Sequence, residues 1–344
     1  AFAFAVLQDS LGGRTGQPLL HFMRTCQERK HFQQVARMGE YALGRFRQNG
    51  FPADAHFVYA DALVHLGRYT DAIGVYDTVV ASFPVMADKA EALYQIGDVY
   101  LNYLHDYDRA LTCFDSVIGE YNTGLGFLNS ILARPHCVLR QGRLPEARDA
   151  FTKLLSRRLS PDQSEMATYH LALIMFFEHT FDSSEIAFRK LQVDYPRGFY
   201  VNDALQLLLV MSEAKDQPAL LKEFSDALLF EQRHMPDSTA NRLRALADKP
   251  GGLLADLALY KLALLSLSQS DSAAAVAYVD RLAQQFAESY YLPYGMKVKA
   301  DIFVSRPDGI EPAKALYQAL LEKYPNYPFI SEVRKRLRQL EGEA

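Results

Sequence analysis

The stretch LGGRTG, residues 11–16, is rich enough in glycine to cradle a phosphate. It lacks the GxxxxGK[ST] order and the preceding strand such a cradle needs, so it reads as a flexible entry loop. The nine histidines include no HExxH pair, and no GxSxG elbow marks a hydrolase nucleophile. His65 and His105 fall near turns, where solvated or capping roles are expected. Cys26, Cys113 and Cys137 are scattered, with no CxxC or Cys/His cluster spaced for zinc, and read as small buried hydrophobes. His136 and Cys137 are neighbours, but side chains of consecutive helical residues point about 100° apart and form no dyad. Asp54, Asp61, Glu91 and Asp98 recur at a spacing that suggests a wet helix face rather than an acid/base pair. The expectation is a protein with no enzymatic activity, no cofactor and no metal. A concealed catalytic cleft would have one place to sit, the irregular stretch 233–252.

The remaining chemistry is that of surfaces, and the elements that carry surfaces must be found first. The chain has 344 residues, with 37 basic and 41 acidic side chains that form no long block of either sign. Nucleic acid is therefore not an expected partner. Forty-nine per cent apolar residues with 15 prolines and 19 glycines suits an ordered helical protein. No run of about 18 apolar residues suggests a membrane span. The leading AFAFAVLQ contains Ala3-Phe4-Ala5, which resembles the small-x-small end of a secretory signal.

One phrase recurs along the chain. GRYTDAIGVYDTVVASFP from Gly67 has counterparts beginning at His105, Gly142, His179 and Asp308. Aligning an aromatic with the small residue four positions before it gives Tyr76, Phe114, Phe151, Phe188, Phe224, Tyr278 and Tyr317, with Met38 as a worn first copy. The steps are 38, 38, 37, 37, 36, 54 and 39. The long step holds about 17 extra residues, where Pro236, Asp237 and Ser238 could open a short helix closed by Pro250-Gly251-Gly252.

Each phrase has two helical stretches. Ala72, Tyr76, Val79 and Val80 make the single apolar stripe of an amphipathic helix. Phe83-Pro84 stops it, as do Phe51-Pro52, Ser160-Pro161, Tyr195-Pro196, Met235-Pro236 and Tyr324-Pro325 elsewhere. The stretch before it carries Phe57, Ala60 and Val64 and ends at Gly67, suited to a left-handed cap. Small residues at Ala72, Ala110, Ala147, Ala274 and Ala313 allow two helices to approach closely. One such hairpin cannot bury both its faces, so copies must stack. The fold class is all-α, an α-solenoid of about seven or eight helical hairpins. Ile330, Val333, Leu337 and Leu340 line one side of a last helix whose cations crowd toward its C-terminus, as in a solvating cap.

LGRYTDAIGVYDTVVASFP resembles a tetratricopeptide repeat (TPR): Leu-Gly before the turn, Ala and an aromatic on the second helix, Pro after it. The resemblance covers roughly residues 18–340 and is strong at 53–122 and 290–325. There is no Trp, Pro135 falls inside a first helix, and Leu220 stands where Ala is usual. The family implies a right-handed superhelix: an arm or helix remnant over 1–17, a solenoid over 18–325 and a cap over 326–344. The long units ending in Tyr-Pro or Phe-Pro are similar to bacterial envelope proteins, such as the lipoprotein of the outer-membrane β-barrel assembly machine and the Tol-Pal associated coordinator.

What the resemblance implies is a scaffold that grips other proteins, in the periplasm or at the outer membrane, with the cytoplasm as the alternative location. In the family the first helix of each pair lines the concave surface. By position this gives Phe57, Asp61, Val64 and His65, then Tyr94, Asp98, Leu101 and Asn102, then His136, Leu139 and Arg140, then Tyr169, Leu173, Phe176 and Phe177 as partner-binding residues. Aromatic anchors among donors and acceptors suit an extended peptide or a helix. The alternative for Tyr94, Phe176 and Phe177 is core packing between hairpins. A second function is self-assembly into a dimer or filament through the solenoid ends and the AFAFAVLQ arm.

Overall fold

The computed structural model describes residues 17–45, 51–249 and 252–342. The arm AFAFAVLQ, the loop LGGRTG and Pro250-Gly251 lie outside the described residues. Eighteen α-helices and no strand occur among the described residues. The chain divides between Leu159 and Ser160 into two units.

The first unit holds α1 (Gln17–Glu28), α2 (Phe32–Arg45), α3 (Ala53–His65), α4 (Tyr69–Ser82), α5 (Met86–Val99), α6 (Tyr107–Glu120), α7 (Leu125–Arg140) and α8 (Leu144–Leu155). They pair as four hairpins, and the first helices stand side by side, α3 against α1 and α5, and α5 against α7. The second unit holds α9 (Pro161–Phe177), α10 (Phe181–Asp194), α11 (Val201–Glu213), α12 (Pro218–Gln232), α13 (Pro236–Ala247), α14 (Ala255–Ser268), α15 (Ser272–Gln285), α16 (Leu292–Val304), α17 (Ile310–Lys323) and α18 (Ile330–Glu341). Four hairpins are again present, with α13 as the additional helix expected in the long step. Pro236 sits in its first turn, and Thr239, Leu243 and Leu246 are buried.

Inside each hairpin the repeated aromatic is driven out of water. Tyr76, Phe114, Phe151, Phe188, Phe224 and Tyr317 are all buried, as are Ala72, Ala110, Ala147 and Ala313. Replacing one such phenylalanine by alanine would cost about 3–5 kcal/mol, because the hairpin cannot close over the cavity. Two copies are out of register with the alignment above. In α15 the inward positions belong to Ala275 and Val279, whereas Ala274 and Tyr278 are half-buried and the Tyr278 hydroxyl accepts from Arg244 Nε at 3.1 Å. In α2 the equivalent position is Gly39, whose missing side chain leaves room for the Tyr59 ring. The corrected steps to either side are 37, from Gly39 to Tyr76, and 38, from Val279 to Tyr317.

The turns reveal the register more directly than the aromatics. Lys30, Gly67, His105, Gly142, His179 and Ser270 each adopt positive φ between the helices of a hairpin. Five and nine residues after each come the two inward positions, small then large in every case but Lys30, where Val35 and Gly39 reverse the order. The left-handed conformation reverses the chain and lets it re-enter the next helix, which Gly accepts without steric cost and other residues do not. The spacing from Gly67 to His105 is one residue longer than its neighbours, and here α5 ends in a π-helical turn, Tyr100–Leu104, that absorbs the extra residue.

Prolines act at both ends of helices. Phe83 before Pro84 is extended, as proline requires of its predecessor. Pro161 and Pro236 differ from the expectation of stops: they stand in the first turns of α9 and α13, where a missing N–H leaves nothing unsatisfied. Ser160 and Gln163 complete a capping box at the start of α9, with bonds of 3.3 and 3.1 Å. Pro135 is accommodated within α7 and buried.

Successive hairpins are tied by buried polar groups as well as by apolar contact. Glu165 on α9 is buried and accepts the backbone N–H groups of Phe199 at 3.1 Å and Tyr200 at 2.6 Å, which hold the entry to α11. A side chain at Gly198 would collide with that carboxylate. Ser184 Oγ donates to the Ala172 carbonyl at 2.8 Å across one hairpin, and Ser225 Oγ to the Phe176 carbonyl at 2.8 Å across two. At the end of the second unit, Val333 and Leu337 of α18 close the core of Ala313, Tyr317 and Leu320.

Ser270 is exposed with φ of 63°, so Ser270→Gly relieves left-handed strain without touching a contact. We expect it to stabilise the chain by about 0.5–1 kcal/mol, seen as a higher denaturant midpoint at unchanged slope. A second expectation concerns His56, which is 3 % exposed between Phe51 and Phe83 and donates from Nδ1 to the Pro52 carbonyl at 3.0 Å. Burial lowers its pKa, the backbone bond opposing weakly. The folded ring stays neutral while the unfolded one takes up a proton below pH of about 6.5, so its stabilising contribution is full above that value and drains below it. The Tm advantage of the native chain over His56→Gln should therefore narrow as pH falls from 7.5 to 5. An advantage that is constant with pH would contradict this account.

Candidate functional site

Four successive first helices of the first unit contribute to one cleft of about 490 Å³. α1 supplies Arg24 and Gln27, α3 supplies Asp54, Phe57, Val58 and Asp61, α5 supplies Asp88, Glu91 and Gln95, and α7 supplies Leu125. Tyr76 of α4 forms the floor, its ring centroid 5.9 Å from that of Phe57. The side chains meet here because each first helix turns the same face inward, one repeat after another.

Four carboxylates face one guanidinium in this lining. Arg24 Nη2 donates to Asp54 Oδ2 at 2.7 Å, and Gln27 Nε2 donates to Asp61 Oδ2 at 2.5 Å. Gln95 Nε2 donates to Glu91 Oε1 at 2.8 Å, whereas Glu91 Oε2 is enclosed and has no hydrogen-bond partner. Burial pushes the Asp88 carboxyl up, and the nearby charge of Asp54 adds to it. Burial also raises the Tyr76 hydroxyl pKa, with further rises from Asp61, Asp98 and Glu91.

The predicted partner-binding residues separate by burial. Asp61 and Phe57 are half-buried and line the cleft. His65 is exposed, donates from Nδ1 to the Asp61 carbonyl at 3.0 Å and stacks on Phe32 at 4.0 Å. Further along the same unit, Asn102 Nδ2 donates to Asp98 Oδ1 at 2.7 Å. Arg140 Nη1 donates to Asn102 Oδ1 at 2.9 Å and to the Leu101 carbonyl at 3.1 Å, which joins α5 to α7. Burial raises the Asp98 pKa against the lowering effects of Asn102 and Arg140. Tyr94 and His136 are half-buried and pack on Phe114 and Phe151. Val64, Leu101 and Leu139 are buried and belong to the core, as does Phe176 in the second unit. A first-helix position therefore does not by itself make a surface residue, since the same helix also packs on its neighbours.

In the second unit, Tyr169, Leu173 and Phe177 border a separate cleft of about 250 Å³ with residues of α11, α12 and α14. Leu173 and Phe177 are nonetheless almost wholly buried. Tyr169 stacks on Tyr200 at 4.7 Å, and Lys261 Nζ pairs with Glu231 Oε2 at 2.9 Å on the rim. A third groove of about 500 Å³ is apolar, with Leu205, Leu209, Tyr290, Tyr294, Pro328 and Phe329 around it.

Sequence reasoning left Arg24, Gln27, Tyr76 and Asp88 out of the site and read Asp54 and Glu91 only as a wet face. A signal was present. Asp54 and Glu91 are 37 residues apart, as are Asp61 and Asp98, so the repeat period itself places these carboxylates at equivalent positions of neighbouring helices.

No group of three or more His, Cys, Asp or Glu side chains among the described residues could hold a metal ion. Cys137 is buried, donates to the Tyr107 carbonyl at 3.1 Å, and has its thiol pKa pushed up to about 12 by burial. It is no nucleophile beside His136. No described helix is long and apolar enough to cross a membrane.

Residues 30–87 and 91–121 each match a family described as tetratricopeptide repeat. No curated protein matches the chain. Among solved structures, it is similar to a tetratricopeptide repeat protein from Parabacteroides merdae, at 14 % identity over 84 % of this chain and 98 % of that one, with a TM-score of 0.39. It is also similar to the C-terminal part of a TPR repeat-containing protein from Cytophaga hutchinsonii, at 14 % identity over 81 % and 99 %, with a TM-score of 0.47. Residues 30–87 and 91–121 are thus tetratricopeptide repeats, and each unit of the chain is an all-helical stack of hairpins of the α-solenoid class.

Proposed function

We propose that the chain is a non-enzymatic protein-interaction scaffold that holds a partner peptide or helix on the first-helix face of its repeats, within a bacterial cell-envelope complex. The observation that carries this reading is the cleft of the first unit, to which four consecutive first helices each contribute. The first-helix residues that stay outside the core recur in register from one hairpin to the next, and the surface they make is a groove that an extended ligand can follow. The envelope setting is supported by the long units with aromatic-proline ends, similar to those of outer-membrane assembly and Tol-Pal associated proteins.

Selection of random dodecapeptides on the immobilised chain should enrich binders relative to an unrelated helical protein. Their affinity should fall about tenfold or more in a Phe57→Ala/Asp61→Ala variant, as loss of an anchor and its neighbouring acceptor predicts. Absence of enrichment, or binding indifferent to first-helix substitutions, would count against the scaffold. Cell fractionation with immunodetection tests the location separately, and recovery in the cytosol alone would overturn only that part.

A further inference from the structure

The scaffold reading leaves open what chemistry the first-unit cleft selects, and the inference below rests on that reading. The cleft has an uneven charge balance. Arg24 is committed to Asp54, and Asp61 is held by Gln27 with His65 Nδ1 3.4 Å from its Oδ1. Among the described residues Asp88 has neither a side-chain hydrogen bond nor an ion pair, and Glu91 has only the amide of Gln95 on one oxygen. Two carboxylates on one face of α5, three residues apart, thus stand without a cation.

A second observation is independent of the acidic side chains. Tyr76 is only 3 % exposed, yet it lines the cleft and its hydroxyl has no hydrogen-bond partner among the described residues. A buried hydroxyl is normally satisfied, and one left open beside a cavity is an acceptor awaiting a donor from outside. Phe57 stands next to it, so the cleft has an aromatic floor under an acidic wall. The carboxylates do not converge as a metal site would. Leu125, 71 % exposed, adds an apolar edge where a partner's flanking residue would lie.

We propose that this cleft seats the lysine or arginine side chain of a partner peptide. The alkyl stem lies along Phe57 and Tyr76, and the cationic end donates to Asp88 and the Tyr76 hydroxyl, with the charge of Glu91 close behind. A long stem with a charged tip fits both surfaces at once, whereas a neutral apolar chain would leave the carboxylates unpaired and an acidic one would be repelled.

The test uses the full chain and two isosteric probes, N-acetyl-lysine methylamide and N-acetyl-norleucine methylamide, titrated at low salt with saturation-transfer NMR. The lysine probe should bind about tenfold or more tightly than the norleucine probe, with the preference reduced as salt rises. An Asp88→Asn/Glu91→Gln variant should lose the preference, and Tyr76→Phe should weaken the lysine probe alone. Equal binding of the two probes, no binding of either, or a preference that survives the double variant would overturn the inference. Failure here is distinguishable from failure of the scaffold. Selected dodecapeptides that bind through the first helices but lack basic residues would leave the scaffold standing and remove only the cationic specificity.

Discussion

The rest of this protein depends on one contact repeated with variations: a bulky side chain of a second helix buried against the first helix of its hairpin, as Tyr76 is against Phe57 and Phe188 against Tyr169. Gly97 shows the constraint directly, since a methyl group there would run into the ring of Phe114. Between hairpins, Gly39 of α2 likewise leaves room for the ring of Tyr59 on α3. The pairing removes the largest apolar surfaces from water, and it brings two helices close enough that each hairpin behaves as one element. A hairpin closed in this way still has an exposed apolar flank, and only another hairpin can cover it.

The first helices, which pack on their own hairpin and on its neighbours, have two tasks. They bury Val64, Leu101 and Leu139 against their neighbours, and they turn Asp61, Asp98 and Arg140 outward. Because the period is nearly constant, what one first helix turns outward the next one does too, and side chains accumulate in rows. A row of carboxylates is costly unless cations or solvent compensate it. In the first unit Arg24 compensates Asp54 and Arg140 compensates Asp98, which leaves Asp88 and Glu91 of α5 without a paired cation among the described residues.

The second unit solves its stacking problem with aromatic rings and polar ties. Tyr200 stacks on Tyr169, and Tyr291 lies nearly parallel to Tyr260 with centroids 5.9 Å apart, each pair bringing a first helix against the residue that leads into the next first helix. Glu165 fastens the same kind of junction through two backbone N–H groups, which doubles as a cap for α11. These junctions are where the loops Tyr195–Tyr200 and Phe286–Tyr291 pass, and their aromatic content has this structural use before any other.

The sequence by itself determined the secondary structure and the period. Prolines, the left-handed turn residues and the alternation of small and large inward positions act within one hairpin, so their spacing survives in the linear chain and shows all-α hairpins, the additional helix near 236 and the final amphipathic helix. It also misplaced the inward position by one residue at Met38 and Tyr278, because any apolar residue satisfies a stripe read without its turn, and only the geometry of Lys30 and Ser270 fixes the count. The tertiary structure alone decided which first-helix residues face solvent. Phe176 and Phe57 look alike in sequence, yet one is enclosed by neighbouring elements and the other borders a cleft. The same holds for Tyr76, whose ring is core by its spacing and whose hydroxyl opens to a cavity formed by helices up to two hairpins away. Burial of that kind is a property of non-local contacts, and no local pattern of residues encodes it.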